Sequence, residues 1–216
     1  MSLPIPLDEW HPFDLLIERN SNQTAHPDLA FASRQQLVPV VGVCLVESWD
    51  GAQVAAANAA VERLVASREM SVISVDTRLD IPNATGLRTK GEIESVLARM
   101  DAVITTRLHG MVLSLKNGVP AVVIDPEPGG SRIWRQAQKI GWPAVFKVDA
   151  LDENALRDAL DYCLTSEAAA TARNCAERAD LEILEMRSTF LKGIENPQWP
   201  GPKYRQRRSD TRVRGP

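Results

Sequence analysis

The clearest pattern along the chain is an alternation. Short apolar runs rich in β-branched residues are followed by stretches whose apolar residues return every three to four positions. Residues 40–46 form a continuous apolar run, Val-Val-Gly-Val-Cys-Leu-Val, which is how a strand buried on both faces reads. Residues 52–67 follow, with Val54, Ala57, Val61, Leu64 and Val65 at helical spacing. A second strand is predicted over 71–75, ending at Asp76. A loop over 77–90 holds Pro82 and Gly86, with room for a very short edge strand. A helix over 92–100 places Ile93, Val96, Leu97 and Met100 on one face, and Ala102 to Thr105 is a third strand. Residues 110–116 are helical, and Gly118 suits the C′ position that ends such a helix. A strand over 121–124, a helix over 131–140 and a strand over 144–148 complete the alternation. Two further helices, 153–164 and about 167–191, close the pattern.

Strands alternating with helices imply right-handed crossovers and a parallel sheet covered on both faces. The predicted fold class is therefore α/β: one doubly wound, Rossmann-like domain over residues 38–150. The helices of 151–196 are expected to pack on it. Residues 1–37 read as an irregular leader that packs against the domain without forming one, with a short strand at Asp14 to Glu18. Residues 197–216 carry Lys203, Arg205, Arg207, Arg208, Arg212 and Arg214 against one acid, Asp210. With so few aliphatic residues this tail is expected to stay solvated. Its functional reading is a basic arm touching anionic membrane surface or a polyanion.

Composition narrows the function classes. A chain of 216 residues with 44% hydrophobic and 25% charged residues is ordinary for a globular protein. The net charge of -3 gives no signature of a specific nucleic-acid partner. No apolar run approaches the ~20 residues that span a bilayer, and the N-terminus lacks the basic start and apolar core of a secretory signal. The expected location is cytoplasmic, peripheral at the inner membrane face if the tail engages lipid. Cys44, Cys163 and Cys175 lack metal-ligand spacing and read as reduced thiols. No metal cluster or Ser/His/Asp order stands out. Asp76 sits where a ribose-binding acid sits in dinucleotide folds, but Glu47-Ser48-Trp49-Asp50-Gly51 follows the first strand in place of a glycine fingerprint. No cofactor is implied. Trp134 and Trp142 bracket a helix and read as packing residues.

In open α/β sheets, ligands bind beyond the carboxyl ends of the strands, where the strand order reverses. In the common order that point lies between the strands of 40–46 and 102–105. Just past their ends stand Glu47 and Ser48 on one side and Thr106, Arg107, Leu108, His109 and Gly110 on the other. Arginine offers a planar fork to carboxylate or phosphate. Histidine is the side chain suited to proton transfer near neutral pH. A helix start adds free N–H groups that favour an anion, and Gly110 lets backbone approach a ligand there. Spacing alone leaves an alternative of equal weight, in which Arg107 pairs with a surface acid and His109 caps the helix. A second candidate is Asp125-Pro126-Glu127-Pro128-Gly129-Gly130-Ser131-Arg132. Gly129, Gly130 and an N-cap Ser131 form a loop suited to phosphate. Arg132 reaches the same anion, and Asp125 and Glu127 orient hydroxyls or a general acid. The alternative there is a capped turn with a surface arginine.

Asp101 to Gly110, then Leu113-Ser114-Leu115, then Gly118-Val119-Pro120 leading into Ala121 to Ile124, resemble the polysaccharide pyruvyl transferases. That family shows an aspartate and apolar strand, Arg-Leu-His with a small residue, an apolar helix, and Gly-x-Pro before another strand. His26-Pro27-Asp28-Leu29-Ala30-Phe31 is similar to its lead-in to a second domain. The resemblance implies one half of a GT-B-like fold. It also implies pyruvyl transfer from phosphoenolpyruvate, as donor substrate, to a pair of sugar hydroxyls in cell-surface polysaccharide synthesis. Arg107 would clamp the donor's phosphate or carboxylate. His109 would bind the phosphate or protonate the methylene carbon, and the backbone of Leu108 and Gly110 would add N–H donors. The family's full N-terminal Rossmann-like domain has no counterpart in the thirty-odd residues before the first strand, so a homodimer or a partner is expected to supply the other half. Where the family shows an aromatic-Asp-x-Lys pattern, Asp125 is kept and Pro126-Glu127-Pro128 replaces the rest. Two other readings stay open: a non-catalytic module binding an anion or a protein, and a glycosyltransferase half using a nucleotide-sugar.

Overall fold

The computed structural model describes residues 26–47, 49–79 and 83–195. The short strand expected at Asp14 to Glu18, the basic tail and Ser48 lie outside them. The chain divides into two units, 1–37 and 38–216. Among the described residues of the first, a 3-10 turn, Leu29–Ala32, is capped by the Asp28 carboxylate, which accepts the Ala30 N–H at 2.8 Å.

The second unit is a five-stranded parallel sheet. Its strands are β1 (Val40–Cys44), β2 (Ser71–Ser74), β3 (Ala102–Thr105), β4 (Ala121–Asp125) and β5 (Val145–Lys147), in the order β2-β1-β3-β4-β5. All four pairings are parallel, with Val41 opposite Ala102 and Cys44 opposite Thr105 at the centre. The helices are α1 (Val54–Ala66), α2 (Lys90–Leu97), α3 (Leu108–Lys116), α4 (Arg132–Ile140), α5 (Glu153–Cys163) and α6 (Ser166–Glu195). β3 and β4 are buried along their whole length, which is why their sequences run apolar without alternation. β1 and β2 lead the crossover one way and β3 to β5 the other. Helices α1 and α5 accordingly pack together on one face, with α2, α3, α4 and α6 on the other.

Local chemistry sets the helix ends. Thr89 and Glu92 make a capping box, so α2 starts at Lys90, ahead of the expected residue 92. Gly118, at φ +71°, ends α3 as expected, with its N–H bonded to the Leu115 carbonyl at 2.9 Å. Trp142 is buried and its indole N–H donates to the Ala121 carbonyl at 2.8 Å, a packing role as expected. The cysteines are free and buried. Burial raises the thiol pKa of all three, pushing that of Cys163 up to about 12.

Helix α6 is longer than expected. Its first half buries Ala168, Ala172 and Cys175. Its later residues Leu181, Leu184, Met186, Phe190 and Ile194 are exposed. The middle of α6, from Arg173 to Glu182, lies by the C-terminal ends of α3 and α4. Arg173 packs at Gly118, Arg178 donates to the Ile140 carbonyl, and Glu182 pairs with Lys139 at 3.0 Å. Helices that follow parallel strands run back antiparallel to them, so this part of α6 lies at the N-terminal ends of the strands, the end of the sheet away from Arg107 and His109. No helix among the described residues is long and apolar enough to cross a membrane.

Candidate functional site

The strand order reverses between β1 and β3, where topology alone had pointed. Two threonines stitch these strand ends together. The buried Thr105 hydroxyl donates to the Cys44 carbonyl at 2.8 Å and accepts the Arg107 N–H at 2.9 Å. The Thr106 hydroxyl accepts the Val46 N–H at 2.9 Å and donates to Asn58 Oδ1 at 3.3 Å. Thr106, expected to bind substrate, thus spends its hydroxyl on the fold.

Arg107 leaves this corner already held. Its Nε donates to the Leu45 carbonyl at 3.2 Å and its Nη1 to Asp76 at 3.1 Å. Asp76 also receives Arg78, through Nε at 2.9 Å and Nη2 at 2.6 Å. The Arg107 and Asp76 side chains are only 13% and 11% exposed. Burial works to raise the Asp76 carboxyl pKa. The Arg78 hydrogen bonds and the Arg107 charge outweigh it and hold the carboxyl below the ordinary carboxylate range. Arg107 therefore does pair with an acid, but with the largely buried Asp76 and not with the surface acid that the sequence alternative named. The pair leaves Nη2 of Arg107 without a partner among the described residues. Glu47 belongs to the same network: its exposed carboxylate accepts Arg78 Nη1 at 2.5 Å.

His109 is the second residue of α3 and is exposed. It does not cap the helix; its imidazole has no hydrogen-bond partner among the described residues. The first intrahelical bond is Met111 N–H to the Arg107 carbonyl, at 3.2 Å. The amides of Leu108, His109 and Gly110 precede it and carry the partial positive charge of a helix start. Gly110 has a second role besides the one expected. It also packs closely on the sheet, since a Cβ there would run into Thr105 Oγ1 and sit 3.1 Å from Cys44 Sγ.

The second candidate loop closes on itself. Asp125 is fully buried, and its carboxylate accepts the N–H groups of Glu127 at 3.1 Å, Ser131 at 2.6 Å and Trp134 at 2.9 Å. The Gly129 N–H goes to Asp149 at 2.9 Å and the Gly130 N–H to the Glu127 carbonyl at 2.9 Å. The amides of Gly129, Gly130 and Ser131 are therefore taken, and the expected phosphate loop is corrected to a capped turn. Ser131 does sit at the N-cap position, but its hydroxyl makes no cap bond; Asp125 caps α4 in its place. Asp125→Ala is expected to destabilise the protein by roughly 2–4 kcal/mol, because three amides lose a buried anionic acceptor. Asp125→Asn should cost less, since it keeps one acceptor oxygen. Urea unfolding of both variants checks the order.

Two clefts flank α3's first turn, and Arg107 and His109 line both. The first, about 340 Å³, is also bordered by Trp49, Leu108, Glu127, Ser131 and Arg132. The second, about 710 Å³, lies between the end of β2 and helices α2 and α3. Arg78, Lys90 and Lys116 line it over an apolar floor of Ile93, Val112 and Leu113. Sequence reasoning missed Trp49, Arg78, Lys90 and Lys116 as site residues. It noted Asp76 only as a ribose-type acid, although its place at the end of β2, next to the reversal point, was the available signal. No group of side chains suited to a metal ion is found among the described residues.

Comparison with known proteins bears on residues 91–128, which match the family model of polysaccharide pyruvyl transferase. No curated protein matches the chain. Among solved structures, the fold is similar to CalG4, the calicheamicin glycosyltransferase, with TM-score 0.45 and 17% identity over 75% of this chain and 44% of that one. It is also similar to the glycotransferase of kitacinnamycin, with TM-score 0.47 and 16% identity over 84% of this chain and 48% of that one. The chain spans just under half the length of these structures. The segment holding β3, the Arg107–His109 corner, α3 and β4 is thus the one that matches the polysaccharide pyruvyl transferase family model.

Proposed function

We propose that this chain binds phosphoenolpyruvate at the Arg107–His109 corner and takes part in pyruvyl transfer to a pair of hydroxyls on a cell-surface polysaccharide precursor. The observation that carries this reading is the state of Arg107. It is pinned by Asp76 and the Leu45 carbonyl, yet among the described residues it keeps one guanidinium nitrogen free beside an unpartnered His109 and an open helix start. A fixed fork next to a free imidazole suits an anion whose reacting carbon needs a proton.

In the reaction, His109 gives a proton to the donor's methylene carbon, making it a methyl group, and a positive charge develops at the neighbouring carbon. One sugar hydroxyl adds there and its proton returns to His109. The carbon–oxygen bond to phosphate breaks, the second hydroxyl adds to the same carbon, and its proton leaves with phosphate. Arg107 and the α3 amides hold the donor's anionic groups throughout.

Calorimetric titration with phosphoenolpyruvate, and with nucleotide-sugars beside it, tests the reading. Phosphoenolpyruvate is expected to bind, and Arg107→Ala is expected to weaken it about a hundredfold. His109→Ala is expected to weaken it less while abolishing phosphate release with an acceptor. Binding with no phosphate release in any saccharide mixture would mark an anion-binding module. Preference for a nucleotide-sugar would sink the proposal in favour of glycosyl transfer.

A further inference from the structure

The two clefts that meet at Arg107 and His109 differ in chemistry. The wall between β2, α2 and α3 presents Arg78, Lys90, Arg107 and Lys116, and no acidic side chain lines it among the described residues. Glu94, just outside, is shared by Lys116 at 2.9 Å and Lys90 at 3.5 Å, so one carboxylate faces two ammonium groups. The apolar floor of Ile93, Val112 and Leu113 lowers the local dielectric and strengthens attraction to an anion.

The other cleft carries acids and an aromatic. Trp49 is 39% exposed at its edge. Glu127 lines it with a carboxylate that has no partner among the described residues, and the exposed Arg132 lines it as well. Asp125 lines it too, but its oxygens are held by backbone. A flat indole with a carboxylate and a guanidinium that are both unpartnered among the described residues matches a neutral sugar ring, whose C–H face is apolar and whose hydroxyls both donate and accept.

We propose that the clefts divide the substrates. The Lys90–Lys116 cleft takes the carboxylate and phosphate of the donor, and the Trp49 cleft takes the saccharide acceptor, with Trp49 as platform and Glu127 and Arg132 as hydroxyl partners. His109 stands on the ridge between them, within reach of both substrates. This assignment rests on the pyruvyl-transfer reading above.

The test uses the full chain and two probes, phosphoenolpyruvate by calorimetry and lactose by ligand-observed NMR on the phosphoenolpyruvate-loaded protein. Trp49→Ala is expected to weaken lactose about tenfold and leave phosphoenolpyruvate within about twofold. The double variant Lys90→Gln/Lys116→Gln is expected to do the reverse. Circular dichroism checks that both are folded, and Glu127→Gln serves as a milder second variant expected to weaken lactose alone. Lactose binding that ignores Trp49 and Glu127, or no lactose binding to the loaded protein, overturns the division while phosphoenolpyruvate binding still stands. Phosphoenolpyruvate affinity unchanged in the lysine double variant overturns it equally. If the wild type fails to bind phosphoenolpyruvate, the underlying reading falls and takes the division with it.

Discussion

Replacing Gly110 with alanine is expected to lower the thermal midpoint by on the order of 10 °C, equivalent to about 3 kcal/mol for a domain of this size. The added methyl is driven into Thr105 Oγ1 and lies 3.0 Å from Thr105 Cβ and 3.1 Å from Cys44 Sγ. None of these atoms is the free end of a flexible side chain. Thr105 is fully buried, and its hydroxyl is fixed between the Cys44 carbonyl and the Arg107 N–H. Relief therefore requires the start of α3 to lift from the sheet, carrying Arg107 and His109 with it. Valine at the same position should leave little folded protein. Gly91→Ala is the control: that glycine is in α2 with nothing near its Cβ position. Its substitution should stabilise by roughly 0.5–1 kcal/mol through helix propensity. A double variant, Thr105→Ala with Gly110→Ala, should cost less than the sum of the two singles, because the first change removes the atom the second collides with. Strict additivity in thermal unfolding would count against the clash.

Gly110 also illustrates what could be read from the sequence. Its neighbourhood was legible: the apolar runs of 102–105 and 121–124 are strands buried on both faces, and their composition says so directly. Alternation with helices implied a parallel sheet, and the common strand order of such sheets placed Arg107 and His109 at the reversal point. That a glycine stood there for close approach was also legible, but not whether it approached a ligand or the sheet. The same gap explains the loop after β4. Gly129, Gly130 and Ser131 have the composition of a phosphate cradle, and only the fold shows that Asp149, the Glu127 carbonyl and Asp125 already occupy their amides. Local pattern gives backbone shape. Which acceptor a given N–H finds depends on a residue in another segment, as Asp149 is for Gly129. For the same reason the Arg107–Asp76–Arg78–Glu47 network was invisible: three segments converge there, and no spacing along the chain records it.

That network leads to the second large effect. Asp76→Asn is expected to cost roughly 2–4 kcal/mol, since it leaves the little-exposed Arg107 guanidinium without its counter-charge. It should also weaken phosphoenolpyruvate about tenfold, although Asp76 itself touches no ligand in the proposed scheme. A positioning role of this kind has a pH signature that a packing role lacks. The folded-state pKa of Asp76 lies below its unfolded value, so its charge contributes fully to stability above about pH 5. The contribution fades as the pH falls through the unfolded value near about 4 and on to the lower folded value, where both states are protonated. The stability gap between wild type and Asp76→Asn, followed by urea unfolding from neutral pH downward, should therefore be constant at first and then close on the acid side. A gap that stayed constant to about pH 3 would mean that the carboxylate acts through shape and hydrogen bonding alone. The electrostatic fixing of Arg107 would then be withdrawn. If the gap does close, phosphoenolpyruvate affinity in the wild type should weaken over the same acid range more steeply than in the variant. The charge that stabilises the corner is the one that aims its arginine.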